Sequence, residues 1–341
     1  MTRTQSSALA LLVACLFSVS TLLAQKPGEK GKEWRLSTAT GPAFALGAAG
    51  DRWAKQIGER SGGKLVARVY PGASLSDRDP SREFFALASG AADLAVGSTL
   101  PWSAQVPELN VVGLPWLAPD AKAIDALITG GVKERLDAAI ERAGAVPLAY
   151  ATLGLRSLAT TAIAVQAPTD LKGLKVRTGS TPLVADVFIA MGAEPRVMTF
   201  AEAQAALKGG KLDAQEGTLA TFAAARLDAL GVRNVVMWGA VAEVAVFAVN
   251  RAVWTSLSEG DRRIVSDAAR EVAADVPALA VAENDAALAE IRKRGVVVTR
   301  LTASGRAAFG FAARPAYDKW AAQAGADLVR AAETALSATP Q

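Results

Sequence analysis

One arginine in the middle of the chain, Arg177, has the surroundings of an anion-binding residue. It follows an apolar, strand-prone segment (174–176) and precedes three small residues (178–180), which leave space beside its side chain. A guanidinium at the junction of a strand and a helix can bind a carboxylate with two parallel hydrogen bonds, because its planar donors match the two oxygens. The position is equally compatible with an ordinary surface arginine. The surrounding elements must show which of the two interpretations holds.

The residues on which most enzymes and metal sites depend are missing from this chain. The sequence contains no histidine and a single cysteine, Cys15, and it has no glycine-rich phosphate loop of a common spacing. These absences argue against a disulfide framework, a thiolate nucleophile, a Cys or His metal site and a Ser-His-Asp triad. Asp213 and Glu216 lie on opposite faces of a predicted strand, so they do not form a general acid–base pair. We expect a protein that is not an enzyme and has no cofactor or metal.

Length and composition favour a globular protein of two domains. The chain has 341 residues, of which 51% are hydrophobic and 21% charged, enough for two buried cores. Its formal net charge of +4 is small for this length, and the charges are interspersed, without an aromatic-interleaved basic patch. We therefore expect no nucleic-acid partner.

The N-terminus has the pattern of an export signal. Arg3 precedes an apolar run (8–24) that is short and spotted with Ser and Thr, and a small residue stands before Gln25. This pattern predicts a signal peptide at residues 1–24 and a periplasmic location. Cleavage before Cys15, which follows Leu, Val and Ala, is the alternative and would attach the chain to a membrane by a lipid.

Strand and helix patterns alternate after residue 33, which predicts parallel strands with helices on both faces. In such sheets, ligands bind at the carboxyl ends of the strands. Three loops at predicted strand ends, near 38–44, 72–77 and 97–102, should therefore face one site. These loops supply two aromatic and two polar candidates for ligand contact: Phe44, Trp102, Asp77 and Ser98.

Two further patterns concern the overall architecture. The pattern A-L-x-x-G-x-x-D occurs at 86–93 and again at 206–213, which indicates two related halves or a coincidence in an alanine-rich chain. A helical pattern runs from Ser258 to Arg294 with Pro277 as its expected kink, and its length of ~55 Å is that of a helix shared by two domains. A last amphipathic helix is predicted at 316–335.

Several segments together resemble the periplasmic solute-binding proteins of TRAP transporters, the DctP-type family. They are SGGKLVARVYPGASL (61–75), ALASGAADLAVGS (86–98), DLKGLKVR (170–177) and MGAEPRVMTFAEAQAALKGGKLDAQE (191–216). The resemblance covers nearly the whole chain after the predicted signal. It implies the two-domain periplasmic-binding-protein (Venus-flytrap) α/β fold, each domain a mostly parallel sheet flanked by helices, with the long kinked helix spanning both. The expected domains are 33–155 with 246–283 and 156–245 with 284–335, in a monomer.

The resemblance also implies roles for particular residues. The arginine matching Arg177 binds the ligand carboxylate, and the one matching Arg156 assists from the domain junction, although it could instead brace the hinge. Phe200 corresponds to an aromatic that packs on the ligand, with an ordinary core position as the alternative. Gly217 stands where the family has an asparagine, so one polar contact with the carboxylate is missing. Glu216 should hold the backbone of the binding loop or contact a polar group of the ligand.

The expected function is the capture of an organic carboxylate and its delivery to the membrane subunits of a TRAP transporter. A periplasmic sensor that presents a carboxylate to a receptor kinase is the alternative, because the ligand chemistry would be the same. An exported carboxylate-based enzyme is a third alternative, disfavoured by the missing histidine. The available aromatics favour an apolar or aromatic monocarboxylate. A small dicarboxylate stays open, with Arg156 binding its second carboxylate.

Overall fold

The computed structural model describes residues 33–338, so the predicted signal peptide and Cys15 lie outside the described residues. The described chain is an α/β protein with two mixed sheets flanked by helices, and the predicted fold class is confirmed. Between residues 33 and 338, no helix is both long and apolar enough to cross a membrane.

The first sheet has five strands in the order β2-β1-β3-β10-β4. Its strands are β1 (Glu33–Thr38), β2 (Val66–Tyr70), β3 (Leu94–Ser98), β4 (Ala145–Leu155) and β10 (Ala242–Asn250). Its helices are α1 (Ala45–Arg60), α2 (Glu83–Ala88), α3 (Thr99–Trp102), α4 (Ala121–Ala126) and α5 (Gly130–Arg142). We call this sheet with its helices the first lobe.

The second sheet has six strands in the order β11-β9-β5-β8-β6-β7. Its strands are β5 (Ser157–Thr160), β6 (Lys175–Thr178), β7 (Glu194–Val197), β8 (Ala214–Gly217), β9 (Asn234–Met237) and β11 (Val297–Arg300). Its helices are α6 (Pro182–Ala190), α7 (Phe200–Lys208) and α8 (Leu219–Ala224). We call this sheet with its helices the second lobe. Short 3-10 helices lie at Ser74–Ser76, Pro80–Arg82, Pro107–Val111, Pro168–Leu171 and Leu227–Leu230.

Both sheets are mixed because the chain crosses between the lobes without a helix in the connection. β4 ends at Leu155 and β5 begins at Ser157, so Arg156 alone joins the two sheets there. β10 then enters the first sheet beside the end of β4, with Ala242 paired to Leu155, and therefore runs antiparallel to β4 and to β3. β5 is likewise antiparallel to β8 and β9, whereas β6 is parallel to β7 and β8.

One long helix is shared by the two lobes. After α9 (Arg251–Ser256), α10 (Glu259–Lys293) runs for 35 residues with Pro277 inside it. Its N-terminal turn is capped by Ser258, whose hydroxyl accepts a hydrogen bond from the Asp261 amide. It packs against α1 and β4 of the first lobe and against α8 and β11 of the second. The lobes therefore rest on a common rigid element.

The C-terminal segment differs from the single helix predicted at 316–335, and that prediction was wrong. It forms α11 (Ala303–Ala312), α12 (Arg314–Ala324) and α13 (Ala326–Ser337). Gly325, with a φ of 100°, separates α12 from α13, a backbone conformation that favours glycine. α12 packs on α6, and α13 packs on α4 and α5 of the first lobe. The domain division expected from the sequence stays a prediction.

Candidate functional site

Arg177 lies in β6, next to the carboxyl end of the strand, and its side chain is half-buried. Its Nε and Nη2 atoms donate hydrogen bonds to the carbonyl oxygen of Met198, at 3.2 and 3.1 Å. Its guanidinium carbon lies 5.9 Å from the ring centroid of Phe200, which begins α7. A carbonyl holds one side of the guanidinium and an aromatic ring lies against it, so its direction is set before any ligand arrives.

The charge of Arg177 has no counter-ion among residues 33–338, where no carboxylate forms an ion pair with it. Burial lowers the pKa of this guanidinium, Glu216 opposes the shift, and Arg156 adds to the lowering. An arginine remains protonated under all such conditions, so the site holds a partly desolvated positive charge. A bound anion would remove that unfavourable state. Gly179 lies beside the guanidinium, since a Cβ added there would lie 4.0 Å from Nη2, an ordinary contact distance.

Arg156, in contrast to Arg177, lies between two glutamates, of which Glu216 is buried and Glu243 is partly buried. Its Nη2 donates to Oε2 of Glu216 at 3.0 Å, its Nε also donates to Glu216, and its Nη1 donates to Oε2 of Glu243 at 2.6 Å. The other oxygen of Glu243 accepts a hydrogen bond from the Ser98 hydroxyl at 2.6 Å. Glu216 is in the second sheet and Glu243 is in the first, so this network joins the lobes at the hinge. We call Arg156, Glu216 and Glu243 the hinge triad.

The hinge triad leaves Arg156 little capacity for a ligand. Burial disfavours its charge, but the two carboxylates outweigh burial and raise the pKa of Arg156 further above its ordinary value. Ser98 and Glu216, which the sequence offered as candidates for ligand contact, form hydrogen bonds within the protein: Ser98 donates to Glu243, and Glu216 accepts from Arg156. The triad carries one positive and two negative charges, so it does not attract a second ligand carboxylate.

Two more predicted residues lie where the lobes meet. Phe44 precedes α1 of the first lobe but packs against the hydrophobic cluster of the second lobe that contains Phe222. Gly217 ends β8, and a Cβ added there would lie 2.9 Å from Cε1 of Phe222. The ring of Phe222 thus occupies the space into which an asparagine at this position would project.

The structure does not bring Trp102 and Asp77 to Arg177. Trp102 is 0% exposed, packs edge-on against Phe84, and donates from Nε1 to Oε2 of Glu83 at 3.1 Å. Trp102, a predicted candidate for ligand contact, is therefore a core residue of the first lobe. Asp77 is exposed and pairs with Arg82 on the surface. A position in a strand-end loop indicated proximity to the site but not the direction of the side chain.

Three polar residues, two of them buried and one partly buried, were not among the predicted site residues. Glu243 is the one charged residue in the otherwise largely apolar segment 241–250. A charge inside such a strand could have indicated from the sequence that Glu243 has a specific partner. Glu83 is buried with a Ser37 hydrogen bond to Oε1 at 2.7 Å, and burial raises its pKa to about 7 despite that bond and the bond from Trp102. Gln215, next to Glu216, is buried, and its side-chain amide has no hydrogen-bond partner among residues 33–338. No cluster of acidic residues able to hold a metal ion occurs among the described residues.

The chain folds into two α/β lobes on a shared helix, and the hinge triad joins them. In the second lobe, Arg177 has no ion pair among residues 33–338. This arrangement is that of a two-lobed solute-binding protein. The chain belongs to the DctP family: the family model for bacterial extracellular solute-binding protein, family 7, matches residues 36–324. The resemblance to the periplasmic solute-binding proteins of TRAP transporters is therefore confirmed.

Individual relatives agree with this family. A solute-binding protein of Verminephrobacter eiseniae is 30% identical over 265 residues, which cover 77% of this chain and 78% of the relative. The C4-dicarboxylate-binding periplasmic protein DctP of Vibrio cholerae is 26% identical over 95% of this chain and 97% of its own. A TRAP periplasmic solute-binding protein of Ralstonia eutropha H16, solved with bound (S)-2-acetolactate, is 41% identical with a TM-score of 0.85, covering 89% of this chain and 98% of that chain.

Proposed function

We propose that this protein captures an organic acid in the periplasm by binding its carboxylate to Arg177, and delivers it to the membrane subunits of a TRAP transporter. The main support for this proposal is the environment of Arg177, which is half-buried, hydrogen-bonded to the carbonyl of Met198, and without an ion pair in the described chain. A bidentate carboxylate satisfies such a guanidinium better than water does. We further propose that the protein is a monomer exported by a signal peptide at 1–24, and that it is not an enzyme.

The ligand proposed here carries one carboxylate. Arg156, whose charge lowers the pKa of Arg177, is already paired with Glu216 and Glu243. Arg196, the register partner of Arg177 in β7, is paired with Glu194. A second ligand carboxylate would have to be buried near two glutamates without a cation of its own, which is costly. The Ralstonia eutropha protein supports this proposal, because the acetolactate in its structure is a monocarboxylate. The Vibrio cholerae relative is named for C4-dicarboxylates and is less similar to this chain.

The test is ligand binding by Arg177→Ala, measured by calorimetry with 2-acetolactate and a panel of mono- and dicarboxylic acids. Loss of a buried partner of a charge typically costs ~2–5 kcal/mol, a fall in affinity of roughly 30-fold to several thousand-fold. A matched control is Arg300→Ala, since Arg300 ends β11 at the opposite edge of the same sheet. We expect the control to bind as the wild type does. Equal affinities of wild type and Arg177→Ala would contradict the role of Arg177.

Delivery is tested separately, with liposomes that contain the membrane subunits. Ligand uptake should require this protein and should fall with Arg177→Ala in proportion to the lost affinity. The absence of uptake with a protein that binds ligand tightly would contradict delivery but not capture. Recovery of the bound acid in altered chemical form would contradict the proposal that the protein is not an enzyme.

A further inference from the structure

Gln215 is the neighbour of Arg177 in the adjacent strand β8. The two residues are register partners in the parallel pair of β6 and β8. Partners in adjacent parallel strands project from the same face of a sheet, and their strands lie ~4.8 Å apart. The Gln215 amide and the Arg177 side chain therefore leave the sheet side by side.

The amide of Gln215 is buried without a protein partner. Gln215 is 0% exposed, and within residues 33–338 neither its Nε2 nor its Oε1 has a hydrogen-bond partner. A buried polar group left unpaired costs free energy, so nearly all such groups in folded proteins find a partner. The amide offers one acceptor and two donors that the protein itself does not use. Something other than the described chain is expected to bind to it.

The neighbour of Gln215 in the strand on its other side is apolar. Its register partner on the second side is Ala159 in β5, which belongs to the hydrophobic cluster containing Phe222. Phe44 from the first lobe packs against the same cluster. The amide thus lies between the carboxylate-binding arginine and an apolar surface to which both lobes contribute.

We propose that Gln215 is a ligand-contacting residue whose amide hydrogen-bonds to a neutral oxygen, a hydroxyl or oxo group within two bonds of the carboxylate that Arg177 binds. An amide carries no charge, so it satisfies a neutral oxygen but does not compensate a second carboxylate. The side-by-side placement of the two residues sets the short spacing between the two ligand groups. The preferred ligands are then 2-hydroxy and 2-oxo monocarboxylates. This inference rests on the proposed function.

A pair of acids that differ in one group tests the proposal: 2-hydroxy-2-methylbutanoate and 2,2-dimethylbutanoate. The second replaces the hydroxyl by a methyl group of similar size. Calorimetry on the wild-type protein should show about 10- to 100-fold tighter binding of the hydroxy acid, because the methyl compound leaves the amide unpaired. Gln215→Leu should bind both acids with similar affinity.

The control variant is Gln56→Leu, the same substitution at a glutamine of α1 whose Oε1 also lacks a partner. It should keep the wild-type preference for the hydroxy acid. The melting temperature of ligand-free Gln215→Leu gives a second readout: it should equal or exceed that of the wild type, because the variant removes an unpaired buried amide. If Gln215→Leu does not fold, Gln215→Met replaces it in both measurements.

The outcomes separate this proposal from the proposed function. Equal binding of both acids by the wild type, or a preference for the hydroxy acid that survives in Gln215→Leu, would overturn the role of Gln215 and leave the function intact. If Gln215→Leu has a lowered melting temperature and keeps the preference for the hydroxy acid, an internal water is bound to the wild-type amide. This result would also overturn the role of Gln215. Failure of the wild type to bind either acid, or any acid of the wider panel, would contradict the proposed function itself.

Discussion

Replacement of Arg156 by methionine tests the hinge triad most directly. The variant removes the cation shared by Glu216 and Glu243, whose side chains are 2% and 13% exposed. Breaking a buried ion pair from one side typically costs ~3–5 kcal/mol, because an uncompensated charge stays behind. The two pairs share Arg156, so their losses do not simply add. We expect the free energy of unfolding at pH 7 to fall by at least ~3 kcal/mol.

Urea unfolding followed by tryptophan fluorescence measures this loss, and one comparison identifies its cause. The triple variant Arg156→Met, Glu216→Gln, Glu243→Gln removes all three charges and should recover much of the lost stability.

A loss below ~1 kcal/mol at pH 7 would refute this reasoning, because it is the range of solvent-exposed ion pairs. A triple variant no more stable than Arg156→Met would also refute this reasoning. Such a result would attribute the lost stability to packing of the arginine stem rather than to charge.

Two further predictions concern single buried positions. The folded-state pKa of Glu83 is raised to about 7 from an ordinary 4.5, so its contribution to stability is lost as pH rises between these values, by ~3 kcal/mol in total. Glu83→Gln should flatten the dependence of unfolding free energy on pH in this window, measured by urea unfolding at several pH values. An unchanged slope would assign the dependence to other groups. Gly217→Asn should lower the melting temperature, because the added Cβ meets Phe222 at 2.9 Å and overpacking costs ~1–3 kcal/mol. The added change Phe222→Leu should restore it, and a fully stable Gly217→Asn protein would show that the ring moves freely.

Several elements, among them the strand that carries Arg177, could be predicted from the sequence because their signals are local. The strand that delivers Arg177 and the glycine stops around it follow from hydrophobic patterning and turn residues. The long helix was predicted with its bounds within a residue, since Ser258 caps its start and Gly295 follows its end.

The partners of the site residues were harder to predict, because they come from distant parts of the chain. Glu216 and Glu243 are 60 and 87 residues away from Arg156, and no local pattern indicates that one guanidinium binds both. The environment of Trp102 was missed for a related reason: it ends the short helix α3 rather than lying in a loop, and its indole donates a hydrogen bond to the buried Glu83. Gln215 could have been recognised as the residue in register with Arg177 once the sheet order was known.

The position of β10 has a consequence for how the chain must fold. This strand lies between β3 and β4 in the first sheet, yet it follows all of β5 to β9 of the second sheet in the sequence. A chain synthesised from its N-terminus therefore cannot complete the first sheet until residue 250 is available. Such distant pairings slow folding, because loop closure precedes the contacts that stabilise it. A fragment ending at residue 155 would leave β3 and β4 with bare edges, and we expect it to aggregate rather than form an independent lobe.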